Sequence, residues 1–167
     1  MVTMLTQEQA WKVLEAVPDP EIPVVSVIEL GIVREVDAAA DGQLRVVVTP
    51  TYSGCPATEV IAEDIRNALL TAGAGSVSVE TRLSPAWTTD WIATDAREKL
   101  RAYGIVPPGE RSACDGARPI HFVRRQLPCP RCGSTDTARI SEFGSTACKA
   151  LYRCKDCLEP FEYFKPI

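Results

Sequence analysis

The stretch Leu44-Arg45-Val46-Val47-Val48-Thr49-Pro50-Thr51-Tyr52-Ser53-Gly54-Cys55-Pro56 changes period along its length. Leu44, Val46 and Val48 alternate with Arg45, Val47 and Thr49, the two-residue period of a strand with one buried face. Beyond Pro56, Ile61, Ile65, Ala68, Leu69 and Ala72 recur at helical spacing until Gly73. A strand that runs through a short loop into a helix is the seed of a layered fold, and its flanks complete the layers. Upstream, residues 32–36 read as a second strand, joined to the first as a hairpin through Asp37-Ala38-Ala39-Ala40-Asp41-Gly42. Downstream, Val77, Val79 and Thr81 alternate in a third strand, and a last helix near 94–103 closes at Gly104.

The N-terminal side supplies another helix. Thr6 followed by Gln9 is a capping-box pattern, Leu5 and Ala10 have the spacing of a hydrophobic staple, and Ala10, Trp11, Leu14 and Val17 share one face. The expected helix spans 7–17, with Pro18 as its stop. Three prolines then stiffen Pro18-Asp19-Pro20-Glu21-Ile22-Pro23, a loop that carries two carboxylates. Ser26 and Glu29 repeat the capping-box spacing ahead of Gly31, which predicts about one helical turn closed by a left-handed glycine. The order helix, strand, strand, helix, strand, helix predicts an α+β fold: a small mixed three-stranded sheet packed with helices.

Composition changes after Ile105. Pro107-Pro108-Gly109 opens a stretch poor in large apolar residues, which predicts a domain at 1–105, a linker at 106–120 and a small module at 121–167. Charge divides near Arg118: nine Lys and Arg against seventeen Asp and Glu precede it, and residues 118–167 hold nine against five. Hydrophobic residues at 46% allow a real core, which excludes wholesale disorder. No apolar run is long enough to span a bilayer, and the first residues lack the pattern of an export signal, so a soluble cytoplasmic protein with no membrane partner is expected.

Five of the seven cysteines, Cys129, Cys132, Cys148, Cys154 and Cys157, crowd into the last quarter of the chain. An odd count without an export signal argues against a disulfide framework. Cys129-Pro130-Arg131-Cys132 and Cys154-Lys155-Asp156-Cys157 are two knuckles separated by 21 residues, and each directs two sulfurs at one ion. Sulfur ligation of this kind suits zinc, but also iron, so the spacing leaves both open. A module of this size needs such a staple, because apolar burial alone does not hold it together. Cys148 is either an additional sulfur for this metal or a small buried residue. Four thiolates around a divalent ion halve the basic excess of the tail, which argues against a nucleic-acid partner. Cys55 stands apart, in the loop before Pro56. With Pro56 as the first helical residue, Cys55 falls at the N-cap, where the helix dipole favours its thiolate; the alternative is an inert buried side chain. His121, the one histidine, has no ligand-spaced partner, and Cys114 stands alone.

Asp19-Pro20-Glu21-Ile22-Pro23, Glu29-Leu30-Gly31 and Ser53-Gly54-Cys55-Pro56 together resemble the signature of the MIP18 family, also called domain of unknown function 59, across roughly residues 6–105. Cys129-Pro130-Arg131-Cys132-Gly133-Ser134 and the run Ser141-Glu142-Phe143-Gly144-Ser145-Thr146-Ala147-Cys148-Lys149-Ala150-Leu151-Tyr152-Arg153-Cys154 resemble the PaaD-type proteins of the bacterial phenylacetate-degradation cluster. The resemblance implies a factor for iron–sulfur cluster assembly or maturation that serves a multicomponent phenylacetyl-CoA epoxygenase. Its partners would then be the oxygenase and reductase components, with a homodimer as a further option. It implies that Cys55, with Asp19 and Glu21, contacts a cluster in transit, while Cys129, Cys132, Cys154 and Cys157 hold zinc or iron. An alternative is a stoichiometric component that binds the complex through its ribbon and the aromatic end Phe161, Tyr163 and Phe164, residues that equally suit the core of so small a ribbon. One histidine and no Glu-x-x-His pair cannot build a di-iron carboxylate site, so an accessory component is expected rather than the oxygenase itself.

Overall fold

The computed structural model describes residues 5–39, 41–109 and 127–167. They fall into two compact units, one running up to Lys99 and including Ile167, the other within Leu100–Pro166. Cys114, His121, Arg118 and most of the expected linker lie outside the described residues.

The first unit opens with α1, Gln7–Glu15, and its capping box is formed on both sides: Thr6 Oγ1 accepts from Gln9 N, and Gln9 Oε1 accepts from Thr6 N at 2.9 Å. The helix stops two residues short of the expected end, because Val17 N donates to Leu14 O in a tighter final turn before Pro18. β1 (Val33–Ala38) and β2 (Gln43–Val48) pair antiparallel, α2 (Ala57–Thr71) crosses over, and β3 (Ser76–Thr81) returns parallel to β2. The sheet order is β1-β2-β3, the expected mixed three-stranded sheet. Leu14, Val36, Leu44, Val46, Ile61, Ile65 and Leu69 form its core, each worth about 1.5–3 kcal/mol in buried side chain. On the strands' other face Arg45 pairs with Asp37 and Glu80, and Arg82 with Glu35. Val47 shares Arg45's side of the alternation yet is fully buried, so the central strand is covered on both faces towards its end.

Between α1 and β1 the chain forms a doubly clamped loop. Pro18 bridges to Ser26, and the Asp19 carboxylate accepts from Glu21 N and Ile22 N. Ser26 and Glu29 make their reciprocal box, and Gly31 takes a φ of +69°. A segment that the sequence left unassigned closes over this turn. Trp87 Nε1 donates to Leu30 O, Ala93 N to Glu29 O, and the Arg34 guanidinium lies 3.6 Å above the Trp91 ring. After a 3₁₀ turn at Thr89–Trp91 comes α3, Thr94–Tyr103, ending at Gly104 as expected.

The second unit is a four-stranded sheet ordered β4-β7-β6-β5, with β4 at Ile105–Val106, β5 at Thr137–Ser141, β6 at Lys149–Cys154 and β7 at Pro160–Phe164. Its core gathers Val106, Leu127, Cys129, Cys154, Phe161 and Tyr163, with Tyr152 stacked on Phe161 at 5.8 Å. Phe161, Tyr163 and Phe164, considered in the sequence as an interface end, are buried. Apolar alternation on β7 places Phe161 and Tyr163 in the ribbon's own core.

Candidate metal centre and thiol loop

Each knuckle is a tight turn with its second cysteine next to a left-handed residue. Cys129 N donates to Ser134 O, Gly133 N donates back to Cys129 O, and Gly133 has a φ of +75°. In the second knuckle, which is the turn of the β6–β7 hairpin, Cys154 N donates to Glu159 O, and the left-handed position is held by Leu158 at +63°. Leucine carries roughly 1–2 kcal/mol of backbone strain there that glycine does not. Three further contacts join the knuckles: a Ser134–Asp156 hydrogen bond, a Lys155–Asp136 ion pair at 2.7 Å and an Arg131–Glu159 pair at 2.7 Å.

The four sulfurs of Cys129, Cys132, Cys154 and Cys157 lie within 4.8 Å of one another. Across the knuckles, Cys129 and Cys157 are 3.7 Å apart and Cys132 and Cys154 3.6 Å apart. A tetrahedron of thiolates about 2.3 Å from one ion has edges of about 3.8 Å, so the residues fit a single metal ion. Clusters of two or four irons distribute their cysteine ligands over several metals, which this compact set does not provide. Cys129 and Cys154 form the buried wall, while Cys132 and Cys157 face solvent.

Crowding separates the thiols electrostatically. Backbone N–H donors at Cys157 and Asp156 bring Cys154 down to about 7. Cys157 receives the Glu159 N–H, but burial and the neighbouring thiols prevail and push it up to about 12. Cys132 is likewise raised, since burial and its contacts with Cys154 and Cys129 outweigh the Ser134 N–H. Without a cation the four cannot all ionise; a divalent ion removes that conflict.

Cys148 is not in this set. It is buried, and its sulfur shares a 3.0 Å hydrogen bond with Thr146 Oγ1. Nor do Asp19, Glu21 and Cys55 converge as metal-ligating groups in the manner of the four cysteines. Cys55 lies between exposed Gly54 and Pro56, with only 8% of its own surface accessible. Gly54 has a φ of +82° and open space where a Cβ would stand. The condition that would put Cys55 at the cap is not met: Pro56 is the N-cap of α2, with no side-chain cap, and Cys55 precedes it. Pro56 already has helical angles but makes no cap bond of its own, and the Cys55 carbonyl accepts from Thr58 N at 3.1 Å. The thiol therefore borders the helix start without occupying its cap.

Sequence reading missed the buried pair Lys149–Glu162, 2.9 Å apart, with Lys149 only 2% exposed. Lysine between Cys148 and Ala150 in an apolar strand was a signal, but its partner is diagonal across β6–β7 and appears only with the register. It also missed the Trp87–Trp91 clamp, which joins segments far apart in sequence.

These two units, an α+β domain with a loop cysteine and a ribbon with four convergent thiols, define the class of protein: a small α+β domain followed by a four-cysteine ribbon. Residues 7–81 match the iron–sulfur cluster assembly protein family, and residues 116–165 match the PaaD zinc beta ribbon domain. The chain is 53% identical to a protein of Escherichia coli (strain K12) whose provisional name makes it one of the subunits of a 1,2-phenylacetyl-CoA epoxidase; the match covers 95% of this chain and 92% of that one. A Porphyromonas gingivalis protein named Fe-S protein maturation auxiliary factor is 36% identical, over 57% of this chain and 90% of its own. The crystal structure of a domain of unknown function DUF59 from Bacillus anthracis superposes with a TM-score of 0.53 at 28% identity, covering 56% of this chain and 90% of that one. The chain belongs to the PaaD family, with an iron–sulfur-assembly (DUF59) domain followed by the family's ribbon. Among the described residues, no helix is long and apolar enough to cross a membrane.

Proposed function

We propose that this protein is a maturation factor that assembles or delivers iron–sulfur clusters for a multicomponent phenylacetyl-CoA epoxygenase in the cytoplasm, and is not itself the oxygenase. The observation that carries the reading is the separation of its thiols. Four are gathered tightly enough to serve one ion, which supports zinc as a resident staple, while Cys55 lies outside that set on the iron–sulfur-assembly domain. The cluster is then cargo. A single cysteine holds it loosely, so a second copy of the chain, a partner's thiol or a small-molecule ligand completes its coordination, and loose ligation favours release. Asp19 contributes by fixing the loop that presents Glu21, since one of its oxygens already accepts two backbone N–H groups.

Cells making only Cys55→Ser should keep the ribbon's metal and the fold but lower the iron–sulfur occupancy of the reductase component several-fold, read by iron and acid-labile sulfide in the purified reductase. Full occupancy would contradict delivery through Cys55. The name of the Escherichia coli relative, that of an epoxidase component, favours a second reading in which this chain is a stoichiometric part of the epoxidase. On that reading the chain copurifies with the oxygenase in fixed ratio; on ours the association is transient.

A further inference from the structure

The second unit contains a cavity of about 710 Å³, within the size range of small-molecule sites. Its walls come from the last turn of α3, the Pro130–Arg131 tip of the first knuckle, the loop Phe143-Gly144-Ser145, and the facing parts of β6 and β7. Leu151, Phe161, Tyr103 and Phe143 supply apolar surface. Phe161 is buried, but Tyr103 and Phe143 are 54% and 61% exposed, so two partly exposed aromatic rings stand beside a concave apolar wall.

The charges of the cavity are unevenly matched. Glu162 is satisfied on both oxygens, by Lys149 Nζ at 2.9 Å and Ser145 N at 2.6 Å. Glu159 pairs with Arg131 at 2.7 Å. Arg101 also lines the cavity and is exposed, and among the described residues its guanidinium has no ion pair or hydrogen bond. One guanidinium is left over, a planar fork suited to a carboxylate.

The wall opposite is fixed before any ligand arrives. Gly144 N donates to Lys149 O at 2.7 Å, and a Cβ on Gly144 would stand 2.5 Å from Glu162 Oε1, so a larger residue there would displace that carboxylate. The Lys165 ammonium lies 4.6 Å from the centre of the Phe143 ring.

From the partly exposed rings and the unpaired Arg101 together, we propose that this cavity binds an aromatic carboxylate: a ring seated against Tyr103 and Phe143, its acid group on Arg101. The ligand is either a free arylalkanoic acid or the carboxyl-terminal aromatic residue of a polypeptide. The site is independent of cluster delivery through Cys55, which lies in the other unit.

The test is an NMR titration of the full zinc-loaded chain with phenylacetate, a small molecule holding both groups. A short peptide ending in Phe with a free carboxylate forms a second arm, and acetate and benzyl alcohol are controls. Saturable shifts at Tyr103, Phe143 and Ser145 with at least one carboxylate probe, absent with both controls, are expected. A response to phenylacetate identifies the free acid as sufficient, and one confined to the peptide identifies a polypeptide terminus. Arg101→Gln should keep the zinc and the backbone spectrum yet weaken binding about tenfold, and Phe143→Ala should weaken it too. No saturable response to either carboxylate probe up to about 10 mM, equal binding of benzyl alcohol, or unchanged affinity in a folded Arg101→Gln would each overturn the proposal.

Discussion

Gly31 illustrates how much a single position can hold. A Cβ there would stand 2.7 Å from both the Cβ and the backbone oxygen of Trp91, and the backbone already has a φ of +69°. Gly31→Ala therefore adds overpacking of roughly 1–3 kcal/mol to left-handed strain of roughly 1–2 kcal/mol. Urea unfolding should show a loss of about 2–5 kcal/mol. Gly54→Ala is the comparison: its φ is +82°, but nothing lies within 4 Å of the added atom, so only the strain of about 1–2 kcal/mol should appear. Equal losses would mean that Trp91 yields easily. The left-handed turn at Gly31 was legible from Ser26 and Glu29, because a capping box is local. Its contact with Trp91 was not, because nothing local ties the 26–31 turn to a segment so far along the chain.

At the scale of elements, β6 and β7 depend on the Lys149–Glu162 pair. Burial works against the charge of Glu162, yet the Ser145 N–H and Lys149 outweigh it and hold the carboxyl below its ordinary range. Lys149→Met leaves the half-buried Glu162 carboxylate with only the Ser145 N–H and should cost the metal-loaded ribbon about 1–3 kcal/mol at neutral pH, read by urea unfolding followed at its aromatic residues. A cost below about 1 kcal/mol would show that solvent reaches Glu162 and replaces its partner.

The knuckles have their own pH dependence. With Cys157 pushed up to about 12 and Cys132 also raised, the metal-free thiols carry protons at neutral pH that the ion must displace. Affinity is thus greatest at high pH and falls on acidification, with at least about two protons released per ion at pH 7. Calorimetry in buffers of different ionisation enthalpy measures that number, and no release would contradict the thiol assignment. The two Cys-x-x-Cys turns were fully legible, since their spacing is itself the geometry. Whether Cys55 or Pro56 caps α2 was not legible, because proline has helical angles whether it caps a helix or begins it.

For the whole molecule, the sequence showed the mixed sheet through its change of period and the metal module through its cysteines. It could not show that Ile105–Val106 joins the ribbon sheet beside β7, because two apolar residues have no period. Nor could it decide whether the aromatic end was core or interface, since apolar alternation is the same for both until a facing strand is known. On the proposed function the molecule divides its labour: one ion held by the ribbon, and cluster cargo handled through Cys55.

The most direct test is the zinc, iron and acid-labile sulfide content of wild type, Cys55→Ser and Cys129→Ser after anaerobic cluster reconstitution with a small-molecule thiol. We expect about one zinc in wild type and Cys55→Ser and its loss in Cys129→Ser, with iron and sulfide retained by wild type and lost in Cys55→Ser. Iron and sulfide that survive in Cys55→Ser and vanish in Cys129→Ser would place the cluster in the ribbon and contradict the account.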